Sequence, residues 1–369
     1  MGECRDQDAQ AVLAVAASII MKTQDFKITR NTIVLWLGMG ISLFLASFNL
    51  IRSPTWSMDV LDYQLSYELI NSVDFRSMAD FIQLSLEPAF VLASIVTGYV
   101  TRSVNLVLFL FAFASLTIKL AYIPSVYVKN RIVLIVTYTL TYYFLLELTQ
   151  SRIAVASAFI LLGYHFLVCA RRGLFLASVA LGLCFHYTAI IALLALFFYN
   201  RFGFQLVKRH LIFLVALFFM AESLKSPFVF SLIELLDAKK SSYISDADTY
   251  LGTGFIRIFL IVAYQLLVLV VCRPSLLRLA PSQVARFHAL LFHLYASSIS
   301  IYIALHSFGV VAVRLAEVFR NLEPFLLVVT LSYCQNARKP MLAFAIFVAI
   351  LVNLQKNSNL FAFFFGAAG

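Results

Sequence analysis

Four short stretches of the chain carry ionisable side chains at the ends of long apolar runs, where a charge is costly and by default marks a functional hypothesis. They are Gln150-Ser151-Arg152, Phe185-His186-Tyr187, Arg314 with Glu317 and Arg320, and a polar run holding Arg52, Asp59, Tyr63 and Tyr67 that leads to Glu87-Pro88. Arginine is a permanent cation with a planar fork of donors, histidine exchanges a proton near neutral pH, and carboxylates accept protons. Each group also has a plain structural reading. Arg52, Arg152 and Arg314 can snorkel to headgroups from span ends. Arg314, Glu317 and Arg320, spaced by three, can form an ion-pair ladder on one helix. His186 can bond a carbonyl across a helix contact. Tyr63 and Tyr67 fit an interfacial aromatic belt, and Glu87 before Pro88 fits an acid at a helix start.

Several chemistries are excluded by spacing. His165, His210, His288, His293 and His306 show no ligand spacing with a carboxylate, and only His288 and His293 fall near each other, five apart, so no zinc site is expected. Cys4, Cys169, Cys184, Cys272 and Cys334 form no CxxC pair, and four of them sit in apolar stretches, so neither a disulfide framework nor a metal centre is read. There is no Walker A loop and no dinucleotide fingerprint.

The elements that must position these groups are membrane helices. Of 369 residues, 62% are hydrophobic and 12% charged, a balance no water-soluble surface can supply. A bilayer crossing needs about 20 mostly apolar residues, and the apolar segments lack the period-two alternation of barrel strands. The expected fold is all-α, a polytopic integral membrane protein of about 10–12 transmembrane helices with interfacial and re-entrant segments on the outer side. Spans are expected at 31–50, 104–122, 132–148, 152–169, 174–187, 188–200, 209–222, 255–272, 287–305, 315–333 and 341–355. Assigning 22–30, 119–131, 171–172, 201–209, 273–286 and 338–339 to the cytoplasm places most of the 28 basic residues there with a single acid, Asp25, as the positive-inside rule requires. The net charge of +10 is thus a matter of topology, and no nucleic-acid partner is expected.

Residues 1–369 read as one membrane domain with two loops on the outer face, 52–103, including an interfacial helix over 87–101, and 223–254. The stretch 174–200 is short for two spans and reads as a broken pair turning near His186. Ala11 to Met21 is too short to span and follows acids where a signal peptide is basic, which leaves both Met1 and Met21, followed by Lys22, as candidate starts.

The order of these features resembles the EpsG/Wzy family of polysaccharide repeat-unit polymerases. The resemblance rests on Arg52 ending a span, Asp59 four residues before Tyr63, and Glu87-Pro88-Ala89-Phe90. It continues with Ser151-Arg152-Ile153-Ala154-Val155-Ala156, the basic turn Arg171-Arg172, Phe185-His186-Tyr187-Thr188-Ala189, and Arg314 opening a late span. Gln150 precedes Arg152, whereas in the family glutamine usually follows the arginine.

The resemblance implies a metal-independent glycosyltransferase of the bacterial inner membrane that needs no cofactor. It would act at the periplasmic face on undecaprenyl-pyrophosphate-linked oligosaccharides, alongside a chain-length regulator protein. A growing glycan leaves its lipid pyrophosphate for the non-reducing end of a new lipid-linked repeat. On that reading Arg152 and Arg314, with Arg52 third, hold the leaving pyrophosphate. His186 is the proton acceptor, with Asp59 and Glu87 as rivals, and Tyr63, Tyr67 and Tyr243 contact the glycan. An O-antigen ligase shares the donor chemistry and differs in its acceptor. A lipid-linked oligosaccharide flippase is disfavoured because no internal repeat is visible and the charges gather at span ends.

Overall fold

The computed structural model describes residues 30–53, 58–72, 87–199, 255–277, 280–304 and 309–356, and every element among them is helical. Four helices are long and apolar enough to cross a membrane, at Thr32–Ile51, Asn105–Tyr127, Ser151–Val168 and Asn336–Leu354. Large apolar side chains cover the outside: Trp36, Leu37, Phe44 and Ile51 on the first helix are 62–75% exposed. Glu147, Glu323 and His288 are wholly buried. An apolar exterior around a polar interior is stable against lipid and not against water, so the chain is an all-α polytopic integral membrane protein. The tail before residue 30, the expected span 209–222 and the loop 223–254 lie outside the described residues.

Helix α1 (Arg30–Ile51) and helix α4 (Asn105–Tyr127) run antiparallel. At one end the Asn105 amide donates to the carbonyls of Leu50 and Arg52, at 3.3 and 3.0 Å. Further along, Gly38 lies so close to Ala121 that a Cβ would meet it at 2.9 Å. Between these helices and α5 (Arg131–Leu146), the backbone widens into two π-turns, Thr117–Tyr122 in α4 and Thr139–Tyr143 in α5.

Here the structure corrects the expected topology. Lys119 was assigned to a cytoplasmic loop, but α4 runs unbroken to Tyr127 and Lys119 is 2% exposed inside the bundle. Its ammonium donates to Glu147 Oε1 at 3.0 Å and to the Tyr138 hydroxyl at 2.8 Å. An opposite charge supplied from α5's end lets the lysine stay inside the apolar layer.

Helices α6 (Ser151–Val168) and α7 (Arg172–Phe185) form a hairpin, packed closely where Gly163 faces Phe175 and Ser178. The turn places Ala170 at φ 59°, and the Arg171 N–H returns to the Phe166 carbonyl at 2.9 Å. This is the left-handed helix stop that glycine usually supplies. Helix α7 ends at Phe185, His186 is extended, and a 3-10 turn over Tyr187–Leu193 leads into α8 (Leu194–Tyr199). The expected break near His186 is present.

Helices α9 (Phe255–Val271), α10 (Ser282–Ala304), α11 (Gly309–Arg320), α12 (Glu323–Tyr333) and α13 (Lys339–Lys356) follow. The expected single span 315–333 is instead two helices broken at Asn321-Leu322, because Pro324 lacks an N–H and opens α12. Glu323 beside it is buried and accepts the hydroxyls of Tyr264 and Tyr295, at 2.6 and 2.9 Å.

Two short helices complete the arrangement, α2 (Met58–Ser72) and α3 (Pro88–Gly98). They lie side by side: the Tyr63 ring is 5.7 Å from Phe90, and the Asn71 amide donates to the Ser94 carbonyl at 3.4 Å. Residues 99–104 then turn α3 back against α4, with Phe90 and Phe111 rings 6.4 Å apart.

Candidate functional site

The sequence stretch 147–152 makes a turn between two buried helices. The Ser151 hydroxyl donates to the Glu147 carbonyl at 3.1 Å, and the Ala154 N–H donates to the Gln150 carbonyl at 3.0 Å. This starts α6 with Arg152 in its first turn. Its guanidinium forms an ion pair with Glu87 Oε2. Glu87 precedes Pro88 at the start of α3 but makes no side-chain cap there, which leaves its carboxylate for the arginine. The Arg152 guanidinium also lies over two rings, 4.8 Å from the centre of Tyr63 and 5.3 Å from that of Phe90, held by the negative face of each π system.

His186 arrives from the α7 break, braced by Phe185, which packs on Phe111 at 5.1 Å and on Phe159 at 5.5 Å. Its Nε2 is 3.9 Å from Glu87 Oε1. Its Nδ1 accepts the Thr188 N–H at 3.3 Å and lies 2.8 Å from the Thr188 hydroxyl. With Nδ1 used as an acceptor, a neutral ring carries its proton on Nε2, facing Glu87. Burial, then the charges of Arg152 and Arg314, push the His186 pKa down to about 3, so the ring stays neutral at physiological pH.

Asp59, in the first turn of α2, sits 4.0 Å from Arg314 Nη2 on α11. Both side chains are more than a third exposed. Burial raises the Asp59 pKa, and Arg314 opposes that rise.

Arg52, just past α1, is only 2% exposed, and among the described residues its Nε, Nη1 and Nη2 have no hydrogen-bond acceptor. Burial lowers its pKa to about 10, against the raising effect of the Tyr63 and Tyr143 phenols. Tyr63 thus lies against the Arg152 guanidinium and close enough to Arg52 to act on its charge. One cluster thus gathers Arg52, Asp59, Tyr63, Glu87, Arg152, His186 and Arg314 from five separate stretches of sequence.

Tyr67 lies one turn beyond Tyr63 and away from the charges. It is 1% exposed, with its hydroxyl donated to the Thr101 carbonyl at 2.8 Å. Tyr63 is also buried, under the Arg152 guanidinium. Neither ring presents a free face for stacking a sugar. Tyr243 lies outside the described residues. Among the described residues, no three histidine, cysteine, aspartate or glutamate side chains gather in a metal-ligating group.

Sequence reasoning passed over the group beneath the cluster. Glu147 Oε1 receives Lys119, the Tyr138 hydroxyl at 2.7 Å and the Ser115 hydroxyl at 3.0 Å. Ser115 Oγ is also 2.9 Å from the Ala154 carbonyl, two residues past Arg152. A lysine and a glutamate inside neighbouring apolar runs were the available signal. Thr188 was legible only as part of a motif, because its part is played by a backbone N–H.

Comparison with curated proteins and with solved structures gives no match. The EpsG family model matches residues 35–362, a stretch that holds every member of the cluster, and the chain belongs to the EpsG family.

Proposed function

We propose that the protein is a polysaccharide polymerase of the O-antigen type, working at the periplasmic face of the bacterial inner membrane. It moves a growing glycan from undecaprenyl pyrophosphate to the non-reducing end of a new lipid-linked repeat. Membership of the EpsG family supports the polymerase role. The observation that supports the reaction is the gathering of Arg152 and Arg314 around His186, with Arg52 close to Tyr63 beside them and, among the described residues, its guanidinium without a hydrogen-bond acceptor.

In this reading the bond between the donor sugar's anomeric carbon and the pyrophosphate oxygen breaks, and the acceptor hydroxyl oxygen forms the new bond to that carbon. Negative charge grows on the leaving pyrophosphate. Fixed guanidiniums in a site of low dielectric stabilise that charge as it develops. Arg52 supplies donors that no acceptor among the described residues takes up. Arg152 supplies those left over from Glu87.

The acceptor hydroxyl must lose a proton. The Thr188 hydrogen bond occupies Nδ1 of His186 and directs its Nε2 proton toward Glu87, and Glu87 is engaged by Arg152. Asp59 has the loosest ion pair and a carboxyl of raised basicity, which favours it over His186 as the general base. His186 then orients Glu87, and through it Arg152.

The test is the glycan ladder from cells deleted for this gene and complemented at matched expression with wild type, Arg152→Ala, Arg52→Met or Asp59→Asn. Lipid A core carrying one repeat unit and no ladder, unrestored by the variants, supports a polymerase dependent on these groups. Lipid-linked polymer that accumulates unattached points to a ligase, and full ladders from all three variants overturn the site.

A further inference from the structure

A recess lined by both apolar and polar groups lies at the far ends of α2 and α3. It is a cavity of about 660 Å³, with walls that include Tyr67, Glu68 and Asn71 from α2 and Tyr99, Thr101 and Arg102 from the turn that follows α3. The size falls in the usual range of ligand sites. We propose that this cleft is a glycan-binding subsite that holds the sugar chain of a lipid-linked substrate away from the bond being made. The proposal rests on the polymerase reading and extends it to the part of the substrate that does not react.

Chemistry and placement favour this occupant. The wall offers a carboxylate, a carboxamide, a guanidinium and an aromatic ring, which is 88% exposed at Tyr99. Donors and acceptors of both kinds beside a free ring suit a sugar with many hydroxyls, which bonds in both directions and stacks on its apolar face. A phospholipid headgroup would be met by cations without the Glu68 carboxylate. The Glu68 side chain is itself oriented, accepting the Gln64 amide at 2.6 Å.

The cleft also has a built base. The buried Tyr67 hydroxyl is tied to Thr101, and the Asn71 amide is tied to the carbonyls of Tyr67 and Ser94, at 2.9 and 3.4 Å. Asn71 takes that position only because residue 98 is glycine: a Cβ there would lie 1.9 Å from Asn71 Oδ1. The same two helices carry Asp59 and Glu87 at their other ends. Eleven residues separate Glu87 from Gly98, about 16 Å of helix, a distance that a few linked sugars cover.

The experiment uses the full chain in nanodiscs, with lipid-linked oligosaccharide extracted from cells deleted for this gene as substrate. Tyr99→Ala and Arg102→Ala are expected to raise KM about tenfold, roughly 1.4 kcal/mol of binding, with kcat nearly unchanged. Gly98→Ala is expected to act in the same direction by displacing Asn71. Unchanged KM in all three variants overturns the proposal. So does a defect that follows the anionic phospholipid content of the disc and not the oligosaccharide, which would make the cleft a headgroup site. If wild type does not polymerise this pool, the polymerase reading fails. The cleft is then judged by saturation-transfer NMR with the oligosaccharide released from its lipid: signal lost in Tyr99→Ala upholds it, and no signal with wild type overturns it.

Discussion

Replacing Arg52 by methionine separates stability from activity. The guanidinium is 2% exposed and among the described residues reaches no acceptor and forms no ion pair, so the fold carries the desolvation of a cation that these residues do not offset. The effective penalty for burying an ion is several kcal/mol even after relaxation, and well-packed apolar replacements of buried charges gain about 1–4 kcal/mol. Methionine has a similar length and a flexible chain that fills irregular space. Arg52→Met is therefore expected to raise the free energy of unfolding by about 1–3 kcal/mol, while polymerisation falls about 100-fold through loss of a charge-stabilising donor. Thermal unfolding of the detergent-solubilised protein reads the first effect, and the glycan ladder reads the second. Saturating undecaprenyl pyrophosphate should stabilise wild type, by about 2.7 kcal/mol at a hundred times its Kd, and should stabilise Arg52→Met much less. A variant that melts below wild type would mean that the arginine is paired inside the fold, and the reasoning would be refuted.

Other expectations follow from the same geometry. Lys119→Met leaves the Glu147 carboxylate buried without its cation and should cost about 3–5 kcal/mol, whereas Lys119→Met with Glu147→Gln should recover most of that; additive losses in chemical unfolding would contradict the ion pair's role. The rate should rise with pH as Asp59 ionises, above the ordinary carboxylate range, and then level off with no inflection from His186. Arg314→Ala removes a charge that lowers the Asp59 pKa, so it should move the rising limb to higher pH in a rate–pH profile. Because the folded-state pKa of Asp59 is raised, its contribution to stability is fully present below the ordinary carboxylate pKa of about 3.9 and is lost as pH rises through the raised value, a slope that Asp59→Asn should remove from pH-dependent melting. Ala170→Gly relieves a left-handed residue at φ 59° and should stabilise the protein by about 1 kcal/mol in thermal unfolding; a lower melting temperature would contradict that assignment.

The membrane helices were readable because composition and run length report burial in lipid directly, and the irregular backbone at His186 was readable because 174–200 is too short for two spans. Lys119 was misplaced for a definite reason. A charge counted alone looks like loop material, and its partner Glu147 is 28 residues away, so only packing reveals that the two neutralise each other. The 321–322 break was hidden in an apolar run, although Glu323-Pro324 is a helix-start pair of the kind recognised at Glu87-Pro88. Within the site, the residue types and their order carried the candidates. Their division of labour was not visible, because it depends on the Thr188 N–H reaching His186 and on Arg52 finding no acceptor among the described residues. Tyr63 and Tyr67 look like surface aromatics in one dimension and are wall and floor in three.

The contact between Ser115 and Ala154 also sets the level of α6 against α4. Ser115 is ten residues along α4 from Asn105, about 15 Å of helix rise, so Ala154, two residues past Arg152, lies that far along α4 from the end that meets Arg52. Under the proposed orientation, Arg52 and Arg152 lie at different levels along α4, one at its end and one further in. Further along α4 the Lys119, Glu147 and Tyr138 group ties α4 to α5, so a substitution there reaches the start of α6 through Ser115, which bonds both Glu147 and the Ala154 carbonyl.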